Sequence, residues 1–305
     1  MLRRYVLMLH QGALGDFIVT WPMLMALGRA FPQSRIVSIT HAQKGKLAER
    51  VLGVESADIE TGWHALFAAQ APADERVQKL LAGARAIYSF IDAPAFVDAL
   101  KTHAPDAEII PLAPRPAQPT GMHVADYIVE QLRTRPLDHS FAEAMLRSVR
   151  ERGLMSNRTI DPRGPIVIHP GSGSITKNWA IDRFAAVADR LRVGGRRVQV
   201  VLGEAERERM SAAELRIARS IGETIEPASL IELLDALLGA SLYLGNDSGP
   251  SHLAGIVGMP SVVLFGKDPT GWTPLGPRVT VVSGASMEAI DVQAVAARAL
   301  AHAVG

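Results

Sequence analysis

Four short polar clusters interrupt an otherwise apolar chain, and each follows an apolar run of strand length. The densest is Asn246-Asp247-Ser248-Gly249-Pro250-Ser251-His252, set between LYLG and the PSVVLFG run. Asp247 ends the first run; Ser248 and Gly249 open a helix over 249–258, with His252 in its first turn. The first N–H groups of a helix have no partner within it and attract an anionic oxygen, so this cluster offers phosphate and sugar binding. Two other chemistries fail on residue type. A serine hydrolase elbow requires Gly two residues before its serine, where Asn246 stands ahead of Ser248. Asp247 and His252, one Asp and one His five residues apart, are too few for a metal centre.

The stretch HPGSGSITKNW (169–179) alternates Gly171 and Gly173 with Ser172 and Ser174, and Lys177 follows near a helix start. Small residues let backbone N–H groups approach an anion, hydroxyls add donors, and lysine adds positive charge. The alternative is a flexible glycine-serine loop, and His169 alone reads as a packed strand-end histidine. In HQGALGDFIVTWP (10–22), Gly12 and Gly15 permit a tight turn after a strand, and Asp16 begins the next helix. Asp16 is either a helix cap or a carboxylate held ready for chemistry. The glycines lack the third member of a dinucleotide fingerprint, so a nicotinamide-dependent oxidoreductase has weak support. In LGEAERER (202–209), Glu204 is placed either to accept from ribose hydroxyls or to stand solvated at a helix start.

These clusters need a scaffold that brings strand ends together. Apolar runs at 4–9, 35–40, 83–91 and 107–112 read as strands, with helices over 16–32 and 121–136. After MSNRTIDPRGP (155–165), a polar stretch with two prolines, the pattern restarts. Strands at 166–170 and 196–203 alternate with helices over 180–195, 205–222 and 229–240; the last cluster and a terminal helix follow. Strand–helix alternation of this kind implies parallel sheets covered on both faces. The expectation is α/β: two doubly wound domains, 1–156 and 165–305, with an interdomain cleft at the carboxyl ends of both sheets and a terminal helix free to pack back on the first domain.

Composition narrows the classes. The chain has 305 residues, 48% hydrophobic, enough for two ordinary cores. A net charge of +1, without basic runs, gives no reason to expect a nucleic-acid partner. Cysteine is absent, which removes disulfides and thiolate chemistry. The N-terminal apolar run stops at His10-Gln11 and reads as a strand rather than a signal peptide, and no run reaches membrane-spanning length. The expected location is cytoplasmic, with a place on a membrane surface left open.

Taken together, GALGDFIVTWPMLMALGRAFP, HPGSGSITKNWAIDRFAAVADRL and GNDSGPSHLAGIVGMPSVVLFGKDPTGWTPLG resemble glycosyltransferase family 9, the ADP-heptose:lipopolysaccharide heptosyltransferases. The chain departs from the family pattern at Lys267-Asp268, where the family usually has Pro directly after LFG. The resemblance implies a GT-B fold of two Rossmann-like domains, the second binding the donor. It implies inverting, metal-independent transfer from a nucleotide sugar, ADP-heptose or similar, to a glycolipid or glycan acceptor, with no cofactor. By position, Asp16 resembles the general base, and Gly12 and Gly15 form its loop near the acceptor and donor phosphate. Ser172, Ser174 and Lys177 resemble diphosphate contacts, Glu204 the ribose ligand and Asp247 the ligand of the donor sugar. Ser248, Gly249 and His252 resemble the remaining diphosphate contacts. A transferase with another donor or a protein acceptor, and a non-catalytic nucleotide-sugar-binding module, are the alternatives.

Overall fold

The computed structural model describes residues 4–68 and 70–304. The chain divides into two compact units between Arg147 and Ser148. The first holds strands β1 (Tyr5–Leu9), β2 (Arg35–Thr40), β3 (Glu55–Asp58), β4 (Ala84–Ser89) and β5 (Glu108–Pro111), in the order β3-β2-β1-β4-β5. Its helices are α1 (Leu14–Ile18), α2 (Trp21–Ala30), α3 (Ala42–Leu52), α4 (Glu75–Ala82), α5 (Pro94–His103), α6 (Val124–Glu130) and α7 (Pro136–Arg152), whose last turn belongs to the second unit. The second unit holds β6 (Ile166–His169), β7 (Val198–Val201), β8 (Glu223–Ile225), β9 (Leu242–Asn246), β10 (Ser261–Phe265) and β11 (Val279–Ser283), in the order β11-β10-β9-β6-β7-β8. Its helices are α8 (Ile181–Val193), α9 (Glu204–Arg209), α10 (Ala212–Ser220), α11 (Leu230–Gly239), α12 (Gly249–Ile256) and α13 (Val292–Val304).

Every strand pair is parallel. Such sheets bury both faces, which is why β1, β6, β9 and β10 are buried along their whole length. The strand order reverses between β1 and β4 in one sheet and between β6 and β9 in the other. Loops leaving the carboxyl ends of those strands diverge to opposite faces and open the crevice where doubly wound sheets bind ligands. The clusters at 10–16, 169–179 and 246–252 lie at these two points.

The long helix expected over 16–32 is two helices. Pro22 lacks an N–H and its ring crowds the preceding turn, while Thr20 turns its hydroxyl back onto the Phe17 carbonyl at 2.7 Å. The helix expected over 205–222 is split at Ser211, which caps α10 by accepting from Glu214 N at 3.2 Å. The helix expected over 121–136 ends at Glu130, and Pro136 opens α7. Three edge strands, β3, β8 and β11, add to the expected set.

The division between units falls earlier than the 155–165 stretch. Leu154 N donates to Ile256 O at 2.8 Å, and a Cβ on Gly153 would lie 2.8 Å from Gly258 Cα, so the segment after α7 is fixed to the end of α12. The terminal helix α13 packs on α8 and on β9, β10 and β11 of its own unit, because its buried face, Val295, Ala296 and Ala299, completes the second core.

That core centres on Phe184, fully buried and edge-on to Trp179 at 5.1 Å between centroids. Phe184→Ala is expected to destabilise the second unit by about 3–5 kcal/mol, read by urea unfolding followed through tryptophan fluorescence. A loss below about 1 kcal/mol would mean that the site collapses around the deletion.

Candidate active site

In the second unit, two loops leave the switch-point strands β6 and β9. One side chain joins them. Asn246, the last residue of β9, is fully buried. Its Oδ1 accepts from Trp179 N at 3.1 Å and its Nδ2 donates to Pro170 O at 2.7 Å. Both ends of the loop 170–179 are therefore tied to the end of the neighbouring strand. Within the loop, Ser172 Oγ lies 2.6 Å from Ser174 O and 2.7 Å from Asn178 Oδ1, and Ser174 Oγ lies 2.9 Å from Thr176 Oγ1. The stretch is a bonded turn, not a free tether.

The turn delivers Lys177 to Asp247, Nζ to Oδ2 at 2.7 Å. Asp247 is buried, while Lys177 remains partly exposed. His252 Nε2 faces the other carboxylate oxygen at 4.0 Å. Ser248 is the N-cap of α12, and its Oγ is turned to Ser251 Oγ at 3.1 Å, leaving the first-turn N–H groups of Gly249 and Ser251 unspent by a side-chain cap. Ser251 Oγ also meets Tyr243 OH at 2.9 Å and donates to Asn246 O. Beside the ion pair is a cavity of about 90 Å³ bordered by Lys177, Asp247 and Lys267. On the far side of the loop is one of about 160 Å³, bordered by Ser172, Trp179, Glu206 and Arg209. The sum is an anion site: a lysine, a helix start and a carboxylate that bears hydrogen-bond acceptors.

Glu206 is the residue that the spacing did not single out. Its Oε2 accepts from Gly203 N at 2.8 Å and its Oε1 lies 3.5 Å from His169 Nε2, both side chains buried. Burial raises its carboxyl, but the bond to His169, the His169 charge and the backbone N–H groups outweigh that and hold it below the usual range. A Cβ on Gly171 would lie 1.8 Å from Glu206 Oε1, so the carboxylate occupies the space that the glycine leaves. The signal was present as a capping-box acid three residues into the helix start. Glu204 stands exposed at the first position of α9, two residues before Glu206.

In the first unit, Asp16 is the third residue of α1 rather than its N-cap; its Oδ2 accepts from Ala13 N at 3.1 Å. Lys44 of α3 reaches under this turn and donates from Nζ to Gly12 O at 2.5 Å. Burial lowers the Lys44 ammonium, and the charge of Asp16 opposes that. His10 is buried between Phe17 and Phe90 at ring distances of 5.5 and 5.6 Å, and neither ring nitrogen has a partner among the described residues. Burial first, then the charges of Lys44 and His41, push its pKa down to about 3. A Cβ on Gly12 would meet His10 Cε1 at 2.8 Å, so Gly12 is sterically required; Gly15 is buried within α1. Lys44 and His10 are therefore parts of the Asp16 turn that residue type alone did not mark.

The structure thus brings Ser172, Ser174, Lys177, Asp247, Ser248, Gly249 and His252 to one sheet edge of the second unit, and Gly12, Gly15 and Asp16 to one turn of the first.

A family model described as glycosyltransferase family 9 (heptosyltransferase) matches residues 128–300. Lipopolysaccharide heptosyltransferase 3 of Escherichia coli strain K12 is 27% identical over 168 residues, which are 50% of this chain and 47% of that protein. Lipopolysaccharide heptosyltransferase 1 of Pseudomonas aeruginosa is 30% identical over 157 residues, 50% of this chain and 42% of that protein. The match thus spans about half the length of these curated relatives. Among solved structures, E. coli heptosyltransferase WaaC with ADP superposes with a TM-score of 0.68 at 17% identity, covering 98% of this chain and 99% of that one. That likeness shows the fold, and it is the α/β GT-B fold expected from the sequence.

Asn246→Ala leaves the Trp179 N–H and the Pro170 carbonyl without their partner. The expected cost is about 2–4 kcal/mol in chemical unfolding. Unchanged stability would show that other groups or water take over both bonds.

His10 gives a pH signature. Its folded pKa of about 3 lies below the ordinary histidine value of 6.5, so the unfolded chain takes up the proton first as pH falls. Its share of stability is complete above 6.5 and is lost toward 3, by up to about 1.4 kcal/mol per pH unit. His10→Phe is expected to flatten that part of the stability profile; an unchanged acid slope assigns it to other groups.

Proposed function

The chain belongs to glycosyltransferase family 9, and from that premise we propose that it moves a heptose, or a related sugar, from ADP-heptose to a lipopolysaccharide-core or related glycan acceptor, with inversion and without a metal. The single observation that carries this reading is Lys177 held 2.7 Å from Asp247 beside the uncapped start of α12. Cation, helix N–H groups and carboxylate stand where a sugar diphosphate offers phosphates on one side and hydroxyls on the other. The solved E. coli neighbour holds ADP, which agrees in donor class.

In this reading the acceptor hydroxyl gives its proton to Asp16 as its oxygen forms a bond to the anomeric carbon. The bond from that carbon to the phosphate oxygen breaks from the opposite side, so the configuration inverts. The nucleoside diphosphate leaves with the electron pair, and Lys177 with the N–H groups of Gly249 and Ser251 takes up the growing negative charge. Asp247 holds the sugar hydroxyls, Ser172 and Ser174 line the diphosphate, Glu204 takes the ribose, and His252 stands on the phosphate side. No helix among the described residues is long and apolar enough to cross a membrane. We place the reaction in the cytoplasm, with peripheral contact at the inner membrane where the acceptor is a glycolipid.

Calorimetric titration with ADP, ADP-heptose, UDP and NAD tests the donor. The expected result is binding of ADP and ADP-heptose, lost by at least about tenfold in Lys177→Ala. Preference for UDP replaces the donor, and binding of none of the four overturns the reading. Asp16→Asn is expected to bind donor as the wild type does and to lose at least about 100-fold in turnover. Turnover unchanged in that variant removes Asp16 from the chemistry.

A further inference from the structure

We infer that Lys267 is the group by which the second unit distinguishes a nucleoside diphosphate from a nucleoside monophosphate; this rests on the donor reading above. Lys267 stands two residues beyond the end of β10, at the carboxyl edge of the sheet. The preceding Gly266 packs closely on Met287, since a Cβ there would lie 2.7 Å from Met287 N. Lys267 borders the same cavity of about 90 Å³ as Thr176, Lys177, Asp247, Phe265 and Met287.

Charge decides what that cavity prefers. Lys177 is already 2.7 Å from Asp247, so this pair contributes no net charge. Asp268, the acid beside Lys267 in sequence, is turned away: its Oδ1 accepts from Thr270 N at 2.9 Å and from Thr270 Oγ1 at 2.5 Å. Lys267 itself has no hydrogen-bond or ion-pair partner among the described residues. The cavity therefore carries one uncompensated positive charge, on a flexible stem that follows an anion rather than fixing a shape. A first phosphate is served by the start of α12 and by Lys177. A second phosphate brings the additional negative charge that Lys267 answers.

The test is calorimetric titration of the full chain with ADP and with AMP, for the wild type and for Lys267→Met, which keeps the stem and removes the charge. The side chain is exposed, so the fold tolerates the change; circular dichroism checks it. The expected result is a loss of about tenfold in ADP affinity with AMP affinity unchanged, and a smaller ADP loss at about 300 mM salt than at about 50 mM. Unchanged ADP affinity in Lys267→Met, with the wild type binding ADP, overturns the inference and leaves the donor reading standing. Equal losses for ADP and AMP also overturn it, since the lysine then acts on the whole nucleotide. A wild type that binds neither overturns both.

Discussion

The carboxamide of Asn246 is the constraint on which the second unit's site depends. At the end of a parallel ladder the backbone leaves the hydrogen-bonding pattern of the sheet, and every buried N–H and carbonyl needs a new partner. Trp179 N and Pro170 O are two such groups, one at each end of a ten-residue excursion. A single planar group with one acceptor and two donors answers both. Aspartate has no donor, and leucine has neither. The excursion is thereby closed at both ends and cannot swing as a unit. Lys177 meets Asp247 as a consequence, because Asp247 directly follows the residue that holds the loop.

Steric room then separates glycines that look equivalent in sequence. Gly171 and Gly173 flank the same serine. A Cβ at Gly171 would overlap the Glu206 carboxylate, whereas a Cβ at Gly173 would meet nothing within 4 Å. Gly171 is therefore the cost of placing a buried acid under the loop, and Gly173 is free of that demand. Gly245 belongs with Gly171: a Cβ there would lie 2.4 Å from Tyr243 OH, the hydroxyl that supports Ser251. Close approach of polar side chains to backbone is what makes these loops rigid.

The sheets were legible because β1, β6, β9 and β10 are largely apolar runs, the pattern demanded by a strand buried on both faces. β3 and β8, ESAD and ETI, are short and polar and have no such pattern. Helix extents failed where a side chain overrode the periodicity, as Pro22 does by its ring and Ser211 by its cap. The polar clusters were legible as clusters because Gly, Ser, Asp and Lys after an apolar run stand out by type. Their internal partnerships were not. Nothing in the spacing of His169 and Glu206 announces that they meet, since sheet order rather than sequence distance joins the ends of β6 and β7. Lys44 shows the same limit: its ammonium serves the Gly12 carbonyl thirty-two residues away.

The ion pair at the second site also bears on which ligand suits it. Asp247 is buried and Lys177 is its cation, and a buried carboxylate stripped of its partner is strongly unfavourable. A phosphate that draws Lys177 toward itself weakens that pairing. A bare phosphate offers Asp247 nothing in return, since both are anions. A ligand that carries hydroxyls next to its phosphate restores hydrogen bonds to the carboxylate at the moment the lysine shifts. Under the proposed function, the two demands are met by one molecule only when phosphate and sugar are joined. Under that proposal the ligand's hydroxyls re-pair Asp247 as Lys177 turns to the phosphate, so the pair favours a sugar phosphate over a bare phosphate.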